Sequence, residues 1–193
     1  GVMGSGIAAH LANAGIPVVE VMDVDGEPVA AAVGISHVSA GRDMAREIVK
    51  RGYRKIAYLG SSSNADHRAQ KRLRGFREGL AEAGLTAVDE CFYDGVSGFG
   101  TGRAMTEQVL TRHPEVDFLY YNTDINAAGG LLYCLEKGMD IPGRIGLAGF
   151  NSFEVLDGLP LLWRQRYLAT TIDGTLLQRP LGGSVTGGTD TWR

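Results

Sequence analysis

Apolar and polar positions follow two different rhythms between Ile16 and Phe150. Short apolar runs over 17–21, 33–35, 56–59 and 91–93 have the length and composition of strands. Between them, apolar residues return every three or four positions. Met44, Ala45, Ile48 and Val49 form one such stripe, on a helix predicted over 42–51 that Ser39 is placed to cap and Gly52 to stop. Leu73, Phe76, Leu80 and Ala83 form the next, over 68–83, with Gly84 as terminator. Met105, Val109 and Leu110 mark a helix that ends before Pro114, and Leu131, Leu132 and Leu135 mark the inward side of a helix over 125–137. Strand-like and helix-like segments in this order predict an α/β chain with a mainly parallel sheet.

Two segments carry the functional signal. Val116-Asp-Phe-Leu-Tyr-Tyr-Asn-Thr-Asp124 and Ile145-Gly-Leu-Ala-Gly-Phe-Asn151 each read as a buried strand that ends in polar groups. In an open parallel sheet, ligands sit beyond the carboxyl ends of strands. Thr123, Asp124 and Asn151 are therefore expected to face one crevice. None of them is suited to attack a bond, which points to a receptor for a small polar molecule.

Composition narrows this only a little. The 193 residues allow one or two domains, and 44% hydrophobic with 21% charged is ordinary for a globular protein. A net charge of -3 gives no electrostatic basis for gripping nucleic acid. Cys91 and Cys134 lie in apolar surroundings without a Cys-x-x-Cys pattern, which predicts buried free thiols in a reducing cytoplasm. No apolar run approaches the roughly 20 residues of a membrane span, and no secretory signal is present. No His/Cys/Asp/Glu cluster has metal-ligand spacing, and no nucleophile–base pair is legible. The expectation is a chain without cofactor or metal that is not an enzyme. Past Leu159 both rhythms fade, and the Gly/Thr-rich stretch over 174–193 has little to bury. An aberrant or disordered tail is expected over 156–193.

The start of the chain has its own pattern. Gly1-Val-Met-Gly-Ser-Gly-Ile-Ala-Ala-His-Leu-Ala-Asn-Ala-Gly15-Ile-Pro-Val18 resembles the dinucleotide-binding turn of 3-hydroxyacyl-CoA dehydrogenases. In that family the glycines let a pyrophosphate approach a helix N-terminus. Gly1 and Gly4 match the second and third glycines, but the preceding strand and first glycine are missing. Met22 stands where an acidic residue should hold the ribose. The plainer expectation is a small-residue helix over 7–14 packed on a sheet, with an NAD-dependent dehydrogenase fragment as the alternative.

A longer resemblance begins at Ile16. It is carried by Ile16-Pro-Val-Val-Glu-Val-Met-Asp23, Val33-Gly-Ile-Ser-His37, Ala40-Gly41, Arg51-Gly-Tyr-Arg-Lys-Ile-Ala-Tyr-Leu-Gly60, Arg72-Leu-Arg-Gly-Phe76, Asp117-Phe-Leu-Tyr-Tyr121 and Gly146-Leu-Ala-Gly-Phe-Asn151. In order and spacing these resemble the effector-binding domain of the lactose-repressor (LacI/GalR) family of transcription regulators, on the branch that senses gluconate and related sugar acids. The resemblance implies a periplasmic-binding-protein-like fold, with doubly wound parallel sheets in two subdomains that close on a ligand. Residues 1–40 would be part of the first subdomain and 41–155 a nearly complete second.

The resemblance also implies a site. Arg72 matches an arginine that clamps adjacent ligand oxygens, a role that suits the planar fork of a guanidinium. Its neighbours Arg68, Lys71, Arg74 and Arg77 are expected to stay on the surface. Asp124 matches the family's aspartate at this strand end, while Thr123 replaces an asparagine and supplies one hydroxyl for an amide. Either can also cap the following helix, and both roles can coexist. Strand alternation points Asn122 away from the face of Tyr121 and Thr123. Asn151 replaces an aspartate found in many members. A carboxylate about 4 Å from an anionic ligand would cost roughly 4 kcal/mol at an effective dielectric near 20, so the amide favours a sugar acid. Met22, Ile35 and Ser97 match pocket-lining positions less securely, Met22 and Ile35 reading rather as core, while His37 follows a strand end from which it can reach the crevice, though a lone histidine is usually structural. The implied partners are a small sugar acid or sugar, operator DNA only through a missing N-terminal helix-turn-helix, and a second copy in a homodimer. No membrane partner is implied, and the implied location is the cytoplasm. A periplasmic sugar-binding protein is a further alternative, since it shares the fold.

Overall fold

A computed structural model of the chain describes residues 2–16, 18–28, 31–62 and 66–150. Their elements run α1 (Val2–Asn13), β1 (Val19–Asp23), β2 (Ala31–Ile35), α2 (His37–Lys50), β3 (Ile56–Ser61), α3 (His67–Glu82), β4 (Asp89–Tyr93), α4 (Phe99–Arg112), β5 (Phe118–Tyr121), α5 (Asp124–Glu136) and β6 (Gly146–Ala148). Every strand pairing is parallel. β1 pairs with β2, and a second sheet has the order β4-β3-β5-β6.

Period-two alternation explains why the second sheet is covered on both faces. Ala57, Leu59, Leu119 and Tyr121 face a core shared with Met105 and Val109 of α4 and Leu131 and Cys134 of α5. Their neighbours Ile56, Tyr58, Phe118 and Tyr120 face the opposite core, with Met44 and Ile48 of α2 and Leu73, Phe76 and Leu80 of α3. The sheet is thus doubly wound, as expected. Both cysteines are buried and free. α2 and α3 cross so closely that a Cβ on Gly41 would overlap the Arg72 carbonyl oxygen. That backbone contact fixes where α3 presents Arg72.

Several details correct the pattern reading. Ser36, not Ser39, caps α2: its hydroxyl accepts from the Ser39 N–H at 3.0 Å, so the helix starts at His37. The apolar stripe hid this start because His37 and Gly41 supply the buried positions of the first turn. Of the three leucines on α5 only Leu131 points inward; Leu132 is 49% and Leu135 55% exposed. Small residues take their place, since Ala127, Ala128, Gly129 and Gly130 are buried where α5 lies close to α4. Ile7 and Leu11 of α1 are exposed, so these side chains do not pack that helix on a sheet. The tail over 156–193 lies outside the described residues.

Candidate ligand site

The strand order places a switch point between β3 and β5, where neighbouring connections leave for opposite faces of the sheet. Crevices open at the carboxyl ends of such strands. Arg72 reaches this place from α3. It is 5% exposed, and its guanidinium is held on three sides. One terminal nitrogen donates toward the Asn122 carbonyl just past β5, at 3.4 Å. The other lies 3.1 Å from Nδ1 of His37. The face of the group sits 4.1 Å over the Phe150 ring, a cation–π contact.

Polar groups are left over. Arg72 Nε, the Tyr120 hydroxyl and Asn122 Nδ2 are buried and find no hydrogen-bond partner among the described residues. Buried polar atoms in native folds are nearly always paired, so such atoms call for an explanation. Two of the three come from the residues that touch at Arg72 and Asn122. Tyr120, on the same face of β5 as the α3 side chains, is close enough for the Arg72 and Asp124 charges to act on its hydroxyl. Burial nevertheless dominates and pushes that phenol up to about 12, so it stays a neutral donor at any physiological pH.

Asp124 is 2% exposed at the start of α5. Its backbone N–H donates to the Phe150 carbonyl at 3.1 Å, and its carboxylate lies against Gly149, where a Cβ would collide with it. Thr123 is the N-cap of α5, its hydroxyl accepting from the Asn126 N–H at 3.5 Å. The capping role is therefore present. Asn122 meets Arg72 through its backbone carbonyl, while its side-chain Oδ1 accepts from Asn126 Nδ2 at 3.3 Å.

The other positions separate. His37 is 4% exposed and joins Arg72 to the Met22 carbonyl, which its Nε2 meets at 3.0 Å. Burial first, then the Arg72 charge, hold its imidazole below the ordinary histidine value, against the opposing pull of the Met22 carbonyl and Asp23. Met22 contributes backbone rather than side chain. Its side chain is exposed, which corrects the core reading, and its φ of 82° is a left-handed conformation rare for a residue with a Cβ. Gly34 opposite makes that kink feasible, since a Cβ there would meet Met22 C and Asp23 N at 2.5 Å. Ile35 is half-buried at the end of β2. Ser97 bonds the Tyr93 hydroxyl at 2.5 Å rather than joining the Arg72 group. Asn151 lies outside the described residues.

Lys71 corrects the expectation of a surface residue. Its ammonium donates to the Asp23 carboxylate at 2.6 Å and to the Asp25 carbonyl. Burial raises the Asp23 carboxyl, but Lys71 and the Asp25 N–H together hold it below the usual carboxylate range. Asp25 in turn accepts the Val38 N–H at 3.0 Å, tying the β1–β2 connection to α2. Arg74 and Arg77 are exposed as expected, Arg77 pairing with Glu90. Pattern reasoning missed Tyr120 and Phe150, which stand inside the two quoted strand motifs, where aromatic rings read as core.

Among the described residues no three His, Cys, Asp or Glu side chains gather as metal ligands, and no helix is long and apolar enough to cross a membrane. The arrangement can hold oxygens by a guanidinium, a phenol and an amide. It positions no nucleophile beside a base.

Comparison with known proteins supplies the family. The chain is 31% identical over 142 residues to the HTH-type transcriptional regulator GntR of Escherichia coli K12, covering 74% of this chain and 42% of that protein. A LacI-family transcriptional regulator from Silicibacter pomeroyi is 48% identical in its crystal structure, with a TM-score of 0.76 over 93% of this chain and 56% of the other. The transcription regulator GntR from Chromobacterium violaceum is 31% identical with a TM-score of 0.70, covering 79% and 56%. The chain spans less than half the length of the curated relative. A family model described as periplasmic binding proteins and sugar binding domain of LacI family matches residues 3–180. From Met3 onward the glycine-rich start falls inside that match, so the dehydrogenase alternative is not favoured. With the doubly wound sheet and the residues around Arg72, this establishes that the chain belongs to the family of periplasmic binding proteins and LacI-type sugar-binding domains, a family of binding domains rather than enzymes.

Proposed function

We propose that this chain is the effector-binding part of a transcription regulator that senses a sugar acid such as gluconate. Residues 1–40 form part of its first subdomain and 41–155 most of its second, and Arg72, Asp124, Thr123 and Asn151 are the ligand contacts. The single observation that carries the reading is the buried guanidinium of Arg72 with Nε unpaired among the described residues, beside two further unpaired polar atoms. A fixed cation with a free N–H in a low-dielectric crevice suits a carboxylate or a pair of adjacent hydroxyls. The GntR relatives support the sugar-acid branch.

Ligand binding would favour one orientation of the subdomains, and a ligand shifts such an equilibrium only by its differential affinity for the two states. Operator DNA would be read by a separate helix-turn-helix module, in a homodimer working in the cytoplasm, and the coupling between the two sites is reciprocal in free energy. Calorimetry with gluconate tests the reading. Binding is expected for the chain as it stands, with Arg72→Ala weaker by about 10- to 100-fold, the usual worth of hydrogen bonds to a charged group. Equal affinities for the two proteins would remove Arg72 from the site.

A further inference from the structure

His37 stands between two things that belong to different sheets. On one side is the Met22 carbonyl at the kinked end of β1; on the other is the Arg72 guanidinium at the end of β5. A carbonyl only accepts, and a guanidinium only donates. The ring can satisfy both in one state alone: neutral, with the proton on Nε2 given to Met22 and the lone pair of Nδ1 receiving Arg72. A proton on Nδ1 would face an arginine N–H across 3.1 Å. The ring also lies 6.2 Å from the Phe150 ring over which the Arg72 guanidinium sits.

We propose that His37 is the positioning residue of the site, its neutral Nε2–H tautomer anchoring the ligand-clamping arginine to β1, so that protonating the ring frees Arg72 and weakens ligand binding in acid. This rests on the reading of Arg72 as a ligand contact. It makes the receptor's affinity depend on pH although the ligand's own charge does not change across the same range.

The charges around the ring are known. Arg72 and Arg68 from α3 oppose its protonation, and Asp23 from β1 favours it. Burial acts first and the Arg72 charge next, both against protonation, ahead of the Met22 carbonyl and of Asp23, which Lys71 already engages. Affinity is therefore full above the ordinary histidine value of about 6.5 and falls on the acid side of it.

The test follows two readouts on the whole chain between about pH 8 and pH 4.5, a window in which an aldonate stays mostly anionic. Gluconate affinity is measured by calorimetry, and the His37 ring by its NMR resonances. The account expects affinity to fall in step with the protonated fraction of His37. His37→Leu should bind about tenfold more weakly at neutral pH, the worth of one lost bond to a charged group, with a flat acid profile. His37→Gln, whose amide can donate to Met22 and accept from Arg72, should recover most of the affinity and stay flat. Arg72→Met should move the ring's midpoint up. An unchanged profile in the His37 variants would assign the pH effect to another group and overturn the proposal. A ring midpoint at the ordinary histidine value, or one indifferent to Arg72→Met, would overturn it even where gluconate fails to bind. Absence of gluconate binding with a depressed, Arg72-sensitive midpoint would instead sink the sugar-acid reading alone.

Discussion

Tyr120 brings a hydroxyl into a place where, among the described residues, nothing receives it. Leaving a buried hydroxyl unsatisfied costs about 1–3 kcal/mol, so selection for stability alone would favour phenylalanine there. A residue kept against its own stability interest is best explained by binding. Tyr120→Phe is accordingly expected to raise the melting temperature or leave it unchanged, while weakening gluconate binding several-fold; melting curves and calorimetry on one preparation check both. A loss of stability with intact binding would show the phenol to be structural. At this scale the sequence was partly legible. Arg72 and Asp124 could be picked out because the family resemblance marks their positions; by spacing alone Arg72 is one member of the basic run from Arg68 to Arg77. Phe150, Tyr120 and the Asn122 carbonyl could not: an aromatic ring in a buried strand looks like core, and a backbone oxygen has no signature in the sequence at all. His37 was visible only as a lone histidine, and its partner Met22 acts through a carbonyl whose direction depends on a φ of 82°.

Among the elements, strands and helices were easier to place than their ends and faces. Runs such as 56–59 announced themselves because both faces of β3 are buried. The start of α2 did not, because its first buried positions are His37 and Gly41 rather than large apolar residues. α5 misled for a related reason. Its leucines predict an inward face, yet the contact with α4 is so close that glycine and alanine fill it, and Leu132 and Leu135 are turned out. The difference is measurable. Leu131→Ala, at a site 3% exposed, is expected to lower unfolding free energy by about 2–5 kcal/mol, whereas Leu132→Ala should change it by no more than about 0.5 kcal/mol. Denaturant melts of the two variants decide it, and comparable losses would mean that the outward leucine is covered.

Across the whole molecule, the two sheets are joined where the proposed ligand would sit. Adjacent residues of α3 grip adjacent residues of β1: Lys71 holds Asp23, and Arg72 reaches Met22 through His37. A group that draws on Arg72 therefore acts on the same turn of helix that ties the sheets together, which is how a small molecule could bias their relative orientation. The α/β class and its parallel sheets were legible from alternating rhythms, since they are properties of long stretches. This joint was not, because it depends on a kink and on which carbonyl faces which ring. The central claim is that the free edge of the Arg72 guanidinium receives the ligand, and it is tested most directly by following the Arg72 Nε–H resonance while gluconate is added. The account predicts that this resonance shifts and becomes protected from exchange in proportion to bound gluconate. A resonance that stays in place while gluconate saturates the protein would contradict it.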